Sequence, residues 1–442
     1  MSRQLHLGLF IQETGHHIAG WRDPGAGAAA ARDFHQQIEL AQLAEAACFD
    51  LLFIQDSYAM RGANDLDALQ HSARAIHWDP LTALSALAMV TQRIGLIGTA
   101  TTTYNEPYSL ARSFASLDHI SQGRAGWNLV TSNNEAEALN FSRSNHAVHG
   151  DRYARAEEFL QVVKGLWDTW EDEAFIEDKT AGQFFDPRRL HVLDHQGEHF
   201  AVKGPLTQAR SPQGHPVVVQ AGSSDTGKRL GAGTADVIFT AQQRLEDARR
   251  FYRDMKVLAQ EAGRDPQQLL IMPGLLPVVA PTRSEAEEKF QQLQDRVLPK
   301  LGLATLATTL GEVDLGGYDL DGPLPDLPPA NGPQSRRQLL IDMARRDNLS
   351  IRQLYQRVVG ARGHLTLVGT PADISDVMQQ WLEQGAADGF NIMPAHLPVG
   401  LRDFTEQVVP ELQRRGLFRT HYEGRTLREH LGLARPQHPH AR

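Results

Sequence analysis

The sequence predicts an α/β fold built from one repeated unit, a short buried strand followed by a longer amphipathic helix. Two observations support this prediction: eight short apolar runs are spread along the chain, and helical patterns separate them. Such an alternation is typical of a parallel sheet, and eight units are typical of a closed (β/α)8 TIM barrel. An open, doubly wound sheet is the alternative fold.

The apolar runs and helical patterns follow one another along most of the chain. The predicted strands are residues 5–11, 50–55, 94–99, 125–130, 216–220, 236–240, 269–279 and 389–393. The predicted helices are residues 36–47, 80–91, 110–120, 152–167, 245–263, 284–294 and 371–384. Two of these helices have a clear start signal, because Asp79 and Thr370 can each cap a helix that begins with proline.

Residues 1–442 are predicted to form a single barrel domain, since no linker divides the chain. Two segments, 168–203 and 301–369, are longer than ordinary connections and are predicted to be insertions. The second is dense in Pro, Gly and Asp, and long loops of this kind are usually functional. We therefore expect a lid or a substrate-channel wall in 301–369, and a C-terminal extension over 401–442.

Composition limits the classes of protein to consider. The formal net charge of −9 argues against general nucleic-acid binding, which needs a basic surface. A single cysteine, Cys48, excludes an internal disulfide framework and is typical of a reducing compartment. The chain starts directly with a strand pattern, and no apolar run reaches the ~18 residues of a membrane span. We expect a cytoplasmic protein without a membrane segment.

Five successive predicted strands end in hydrogen-bonding residues, most of them uncharged. In a (β/α)8 barrel these carboxyl ends meet at one face, where the active site is built. Uncharged groups in this number favour a neutral heterocycle that carries one anionic group. The strand ends are residues 12–17, 56–58, 99–105, 131–134 and 220–224.

The turn after the fifth strand, in AGSSDTGKRLGAG, is the predicted anion site. A Gly/Ser turn that leads into a helix presents backbone N–H groups, and Ser223 and Ser224 add hydroxyl groups. The stretch nearly matches a P-loop, but Arg229 stands where a Ser or Thr would hold magnesium. A single phosphate ester therefore fits better than a nucleoside triphosphate, and an ordinary βα turn is the structural alternative.

A second helix start adds two further phosphate-binding candidates. His149 and Tyr153 are four residues apart, so both side chains can reach the same side of the first helical turn. Tyr153 as a simple packing residue is the alternative. The sequence has no cysteine pair and no H-E-x-x-H motif, so no metal site is predicted. It also lacks the G-x-S-x-G elbow of hydrolases and a G-x-G-x-x-G turn after the first strand.

Long ordered motifs give the chain a family resemblance. The segments LDHISQGRAGWNLVTSNNEAEALNFS, HGDRYARAEEFLQVVKGLW, RSPQGHPVVVQAGSS and VVPELQRRGLFRTHYEGRTLREHLGL resemble bacterial luciferase-like flavin-dependent monooxygenases. Within that group they resemble the nitrilotriacetate, long-chain alkane and dibenzothiophene-sulfone monooxygenase subfamily. The resemblance covers almost the whole chain.

The resemblance implies a TIM-barrel oxygenase that uses reduced FMN (FMNH2) and O2. A flavin C4a-(hydro)peroxide would oxidise a small organic substrate, such as an organosulfur compound, an amine, an aminopolycarboxylate or a xenobiotic compound. It also implies a separate NAD(P)H-dependent flavin reductase and a homo-oligomer, either a dimer or a tetramer. Two alternatives stay open: a deazaflavin-dependent dehydrogenase of the same superfamily, and a non-catalytic flavin-binding relative.

The resemblance also assigns roles to residues. The implied cofactor-binding residues are Asp56, Thr99, Asn128, His149, Tyr153, Ser223 and Ser224. The implied catalytic or substrate-side residues are His16, His17, Tyr58 and Asn133, and the sequence does not decide which of the two histidines acts. Three arginines are candidates for a substrate carboxylate clamp, with surface ion pairs as the alternative: Arg22, Arg61 and Arg124.

Overall fold

The computed structural model describes residues 3–27, 29, 32–132, 134–145, 149–222, 224–311, 313–328 and 334–440, with the backbone alone at 149 and 334–336. Thirteen strands occur within these residues: β1 (His6–Ile11), β2 (Leu51–Ile54), β3 (Gly95–Thr101), β4 (Ala125–Val130), β5 (Phe175–Asp178), β6 (Gln183–Phe185), β7 (His195–Gln196), β8 (Ala201–Val202), β9 (Val217–Gln220), β10 (Val237–Thr240), β11 (Leu270–Val279), β12 (Leu365–Gly369) and β13 (Gly389–Ile392).

Eight parallel strands close into a barrel, which confirms the predicted fold. Their order around the barrel is β1, β2, β3, β4, β9, β10, β11 and β13, and β13 pairs with β1 to close the ring. All eight coincide with the predicted strands. The ninth, β12, was not predicted; it pairs with the carboxyl-terminal half of β11, outside the ring.

Helices surround the barrel and form most of the longer insertion. They are α1 (Phe34–Ala46), α2 (Leu66–Leu69), α3 (Pro80–Ala88), α4 (Pro107–Ile120), α5 (Glu137–Asn140), α6 (His149–Trp167), α7 (Asp225–Thr234), α8 (Leu245–Glu261), α9 (Arg283–Asp295), α10 (Pro299–Thr309), α11 (Gln334–Arg346), α12 (Ile351–Ala361), α13 (Pro371–Glu383), α14 (Val399–Asp403), α15 (Val409–Arg414) and α16 (Leu427–His430). The predicted start signals are confirmed, because Asp79 caps α3 and Thr370 caps α13 through their side chains.

Three phenylalanines form a floor inside the barrel just below the strand ends. Phe10, Phe53 and Phe239 are the penultimate residues of β1, β2 and β10. Their ring centroids lie 4.9 Å apart between Phe10 and Phe53 and 5.5 Å from each of these to Phe239. We call this group the aromatic floor; polar residues beyond it face the open end of the barrel.

The insertion at 301–369 is mainly helical, so the expectation of a long loop is wrong. Helices α10, α11 and α12 pack around their own apolar cluster, in which Leu306, Leu340 and Val358 are fully buried. The Pro- and Gly-rich middle of the segment concealed these flanking helical patterns. The cluster also takes in Ile18 and Ala19 from the loop after β1, so the insertion lies directly on that loop.

The shorter insertion, 168–203, folds into two small antiparallel pairs, β5 with β6 and β7 with β8. Both pairs lie outside the barrel ring.

The C-terminal extension closes the amino-terminal end of the barrel. Leu427, Leu431 and Leu433 pack in one cluster with Leu51 and Val217, which begin β2 and β9. We call these three side chains the leucine plug. Within the described residues, no helix is long and apolar enough to cross a membrane.

Candidate active site

A polar pair lies beside the aromatic floor, on β3 and β4. Thr99 and Asn128 are register partners, and Asn128 Nδ2 donates to Thr99 Oγ1 at 2.9 Å. Thr99 Oγ1 donates in turn to the Ile54 carbonyl oxygen at 2.8 Å. Because a carbonyl oxygen only accepts, this chain fixes the orientation of the Asn128 amide. Asn128 Oδ1 is buried and has no hydrogen-bond partner among the described residues, so it can accept from a ligand N–H.

The turn between β9 and α7 forms a cradle of small residues. A Cβ on Gly222 would lie 2.9 Å from Gly227 Cα, so the backbone there approaches itself too closely for a side chain. A Cβ on Gly227 would lie 3.0 Å from Tyr153 Oη and 3.1 Å from Ser224 Oγ, which brings both hydroxyl groups to this point. Ser224 also caps α7 by accepting from Gly227 N at 3.1 Å. The site combines hydroxyl groups with a helix N-terminus, as phosphate sites do.

The structure thus brings Tyr153 and Ser224 together from α6 and α7. His149 is the first residue of α6, one turn before Tyr153, which is the predicted spacing. The His149 side chain and the whole of Ser223 lie outside the described residues.

Asp56, which follows β2 closely, contacts His77. Asp56 Oδ1 lies 3.2 Å from His77 Nε2 and accepts from Ser57 N at 2.8 Å. The Asp56 hydrogen bond raises the pKa of His77, so this histidine holds a proton more readily. The pair places a carboxyl group and an imidazole at the open end of the barrel. Asp56 was predicted as a site residue from the sequence, whereas His77 was not.

Tyr58 lies in an aromatic group at the ends of β2 and β3. Asn105 Nδ2 donates to Tyr58 Oη at 3.0 Å, and the Tyr58 ring lies 5.0 Å from that of Phe141. Phe141 stacks on Tyr104 at 4.8 Å. Burial raises the pKa of Tyr58, so the hydroxyl group keeps its proton and can donate it.

The polar tail of β4 ties neighbouring strand ends together. Ser132 Oγ donates to Thr101 Oγ1 at 2.8 Å, and Thr103 Oγ1 donates to the Thr131 carbonyl oxygen at 2.8 Å. Asn134 Nδ2 donates to the Ala59 carbonyl oxygen at 3.3 Å. Asn133, the predicted substrate-side residue, lies outside the described residues.

The loop after β1 is fixed by backbone contacts from two sides. His16 N and His17 N donate to carbonyl oxygens of Pro394 and Ala395 after β13 at 2.8 and 2.9 Å. Gly15 has φ +109°, and a Cβ there would lie 2.4 Å from His396 Cα. Only glycine permits this approach, which holds both histidines in place.

The two histidines have different surroundings. The His16 ring meets Phe10 of the aromatic floor edge-on at 4.6 Å, and its Nε2 donates to the Phe10 carbonyl oxygen at 2.8 Å. The His17 ring lies against Phe290 of α9 at 6.4 Å. Burial holds the pKa of His16 well below its usual value and lowers that of His17 to about 3. Both rings are neutral, and His16 is the one that contacts the floor.

Arginines contact the same loop, and sequence analysis missed both of them. Arg362 Nη2 donates to His16 Nδ1 at 2.7 Å, and Arg74 Nη2 donates to the His16 carbonyl oxygen. Glu13 is buried beside them, and this burial raises the pKa of its carboxyl. Arg362 follows α12, so the insertion supplies part of the candidate site.

Arg124 is not a substrate clamp. It precedes β4, at the opposite end of the barrel, and its guanidinium donates to carbonyl oxygens of Ala88, Thr91 and Ile94. Arg22 is exposed and donates to the Arg296 carbonyl oxygen. Across the part of the chain that the structure describes, no group of three or more His, Cys, Asp or Glu side chains could hold a metal ion.

Comparison with known proteins identifies the family. The family model described as luciferase-like monooxygenase matches residues 14–388, most of the barrel and both insertions. The chain belongs to the luciferase-like monooxygenases. Two relatives that align over nearly their full length are named monooxygenases, so the chain is an oxygenase and the predicted family is confirmed.

Two luciferase-like relatives are about half identical to the chain. Nitrilotriacetate monooxygenase component A of Aminobacter aminovorans is 54% identical, with 99% of this chain and 98% of the relative covered. N-acetyl-S-(2-succino)cysteine monooxygenase of Bacillus subtilis (strain 168) is 51% identical, with 100% and 99% covered.

Solved luciferase-like structures share the fold. DmoA from Hyphomicrobium sulfonivorans has a TM-score of 0.88 at 31% identity and covers 97% of this chain and 92% of its own. A riboflavin lyase described with a modified FMN and riboflavin has a TM-score of 0.86 at 30% identity, with 97% and 96% covered. Family membership therefore implies a flavin cofactor.

Proposed function

We propose that the chain is the oxygenase component of a two-component FMNH2-dependent monooxygenase that oxidises a small organic substrate. One observation carries the proposal: the unpaired acceptor Asn128 Oδ1 lies on β4, and the Tyr153–Ser224 cradle follows β9, the strand paired with β4. FMN has a neutral ring system with N–H groups and one phosphate, so its chemistry fits this donor and acceptor set. Reduced FMN supplies the electrons for O2 activation.

The chain's own residues have the remaining tasks. Tyr153 and Ser224 bind the phosphate, and Asn128 orients the ring through the hydrogen bond it can accept. The aromatic floor excludes water from below, which protects reactive species from hydrolysis. His16, His17, Tyr58 and Asn133 stay predictions as catalytic or substrate-side residues. Among them, Tyr58 has a raised pKa, so its hydroxyl group stays protonated and can act as a hydrogen-bond donor to the substrate.

A separate NAD(P)H-dependent flavin reductase is the proposed partner. The names of two relatives support it: nitrilotriacetate monooxygenase component A, and one of the pristinamycin IIA synthase subunits of Streptomyces pristinaespiralis, the latter 47% identical over 98% of this chain. A homo-oligomer, dimer or tetramer, and a cytoplasmic location belong to the same proposal. Light scattering after size exclusion measures the oligomeric state.

Anaerobic titration with FMNH2 tests the cofactor. We expect saturable binding, followed by O2 uptake and, with a substrate panel and a generic flavin reductase, products heavier by one oxygen atom. Absence of flavin binding would refute the proposal. A reduced deazaflavin in a parallel titration tests the dehydrogenase alternative; the deazaflavin-dependent neighbours are 12% and 14% identical and share the fold alone.

We also propose that the insertion acts as a lid or channel wall. Its loop is attached to α10–α12, where Leu315 is buried in the insertion's cluster, and the Pro323–Ser350 bridge joins the loop to the start of α12. A storage protein needs no such cover, so deletion of 313–328 should abolish turnover and spare FMN affinity. Unchanged turnover in the deletion variant would contradict the lid.

A further inference from the structure

Two arginine side chains converge on the loop after β1, on the side of the barrel that carries the insertion. Arg362 Nη2 donates to the ring of His16, and Arg74 Nη2 donates to the backbone of the same residue. The Arg362 guanidinium also lies 5.7 Å from the ring centroid of Phe10, which places it over the aromatic floor. Three strands lie between β1 and β9 in either direction around the ring, so the arginines lie opposite the phosphate cradle.

The backbone at Arg362 is unusual. This residue ends α12 in the left-handed conformation, with φ 51° and ψ 37°. Glycine is favoured at such a helix end, because a Cβ there crowds the backbone. The strained position is occupied by Arg362, although the next residue, Gly363, is a glycine. Strain of this kind clusters at ligand sites, where the side chain is needed.

Among the described residues, two guanidinium groups and one buried carboxyl face the loop after β1. Arg362 contacts neutral acceptors, His16 Nδ1 and Gln12 Oε1, the latter at 3.3 Å. Arg74 Nε is buried without a hydrogen-bond partner among the described residues. The buried carboxyl in this region is Glu13, to which Gln12 Nε2 donates at 3.1 Å. Glu13 is faced by Arg74 and His77, and His77 in turn contacts the carboxyl of Asp56 at 3.2 Å.

We propose that Arg362 and Arg74 bind a carboxylate of the substrate above the aromatic floor, so that the chain oxidises a small carboxylate-bearing amine or thioether. The planar guanidinium fork matches a carboxylate in two parallel hydrogen bonds. This site lies across the barrel from the phosphate cradle. The flavin, bound through its phosphate, and the substrate, bound through its carboxylate, can therefore lie next to each other between the two sites. The inference rests on the proposed function, because it takes the ligand to be the substrate of that reaction.

Calorimetric titration tests the site without turnover. The probes are nitrilotriacetate and N-acetyl-S-(2-succino)cysteine, each beside its fully methyl-esterified form, with the FMN-loaded full chain. Wild-type protein should bind at least one free acid and bind its ester about 10-fold more weakly or not at all. Arg362→Gln should weaken binding of the acid about 10-fold to 100-fold and leave the ester unchanged. Arg362→Lys should recover part of the loss.

A matched control lies on the same helix. Arg352 forms an exposed pair with Asp321 at 2.8 Å, and Arg352→Gln should leave probe binding unchanged. FMN affinity, measured in the same samples, should be equal in all variants. Binding of neither free acid by the flavin-loaded wild type, or equal binding by Arg362→Gln, would overturn the carboxylate site. Failure of the wild type to bind flavin would instead overturn the proposed function.

Discussion

The open acceptor on Asn128 gives a prediction with a magnitude. Asn128→Leu keeps the side chain's approximate volume and removes the amide. In the flavin-free protein the change loses one hydrogen bond to Thr99, worth about 0.5–1.5 kcal/mol, and removes a buried unpaired carbonyl that costs about 1–3 kcal/mol. The free energy of unfolding should therefore stay equal or rise by about 1 kcal/mol.

For flavin binding, Asn128→Leu should be unfavourable, in contrast to its effect on the stability of the flavin-free protein. The variant cannot accept from the ring, and the ligand N–H loses its partner in a buried site. A loss of about 1–2 kcal/mol corresponds to FMN binding about 5-fold to 30-fold weaker. FMN affinity is measured by equilibrium fluorescence titration. Urea unfolding of the flavin-free protein measures the difference in the free energy of unfolding between the variant and wild type.

Asn391 provides the matched control. It lies one layer deeper, paired with Gly8 at mid-strand, and its buried Oδ1 also has no hydrogen-bond partner among the described residues. Asn391→Leu should leave FMN affinity unchanged, because the aromatic floor separates it from the site. If Asn128→Leu binds FMN as tightly as wild type, or if both variants weaken binding alike, the open acceptor does not serve the flavin.

Three further predictions concern the cradle, the barrel's charge pairs and pH. Ser224→Ala and Tyr153→Phe should each weaken FMN binding about 10-fold or more and leave riboflavin binding unchanged, because the lost contacts are to phosphate. Asp236→Asn should lower the free energy of unfolding by about 3–5 kcal/mol, since it leaves the buried Arg428, paired at 2.9 Å, without its partner. Burial raises the pKa of Asp118 to about 6. Because this folded-state value exceeds the unfolded one of about 3.9, the stability from the protonated form is complete below pH of about 3.9 and is lost as pH rises through about 6. Relative to Asp118→Asn, wild type should lose about 1.4 kcal/mol between pH of about 5 and 8.

Each of the three has a contradicting outcome. Equal loss of riboflavin binding would show that the cradle variants disturb the fold and not the phosphate contact. For the ion pair, the exposed Asp321→Asn is the control and should cost about 0–1 kcal/mol; an equal cost at Asp236 would refute its buried role. A stability difference between wild type and Asp118→Asn that does not change with pH would contradict the raised pKa.

The barrel was predictable because its signals are local. Each strand is an apolar run and each helix an amphipathic one, so all eight ring strands follow from short windows of sequence. The three helices at 301–369 were not predicted, because the Pro- and Gly-rich middle of this segment obscured their helical patterns. Nor was β12 predicted, a short apolar run directly before the predicted helix cap at Thr370.

The site was predictable only in part, because its contacts are long-range. Thr99 lies at a predicted strand end, and Asn128, which the family resemblance implies, lies beside it on the neighbouring parallel strand. The contact of Arg362 with His16 joins residues 346 positions apart, and no periodicity relates them. His77 is likewise a loop residue, and it belongs to the candidate site because it contacts Asp56. Contacts of this kind can be identified only when the positions of the insertion and the loops on the barrel are known.

The leucine plug has a consequence for how the protein is made. The leucine plug lies after all eight ring strands in the chain, so it leaves the ribosome later than they do; in the same region Leu5 N donates to the Leu417 carbonyl oxygen at 2.8 Å. The ring strands therefore keep an uncovered apolar end until residues 427–433 have been synthesised. A nascent chain that stops before this segment exposes that end to chaperones and proteases.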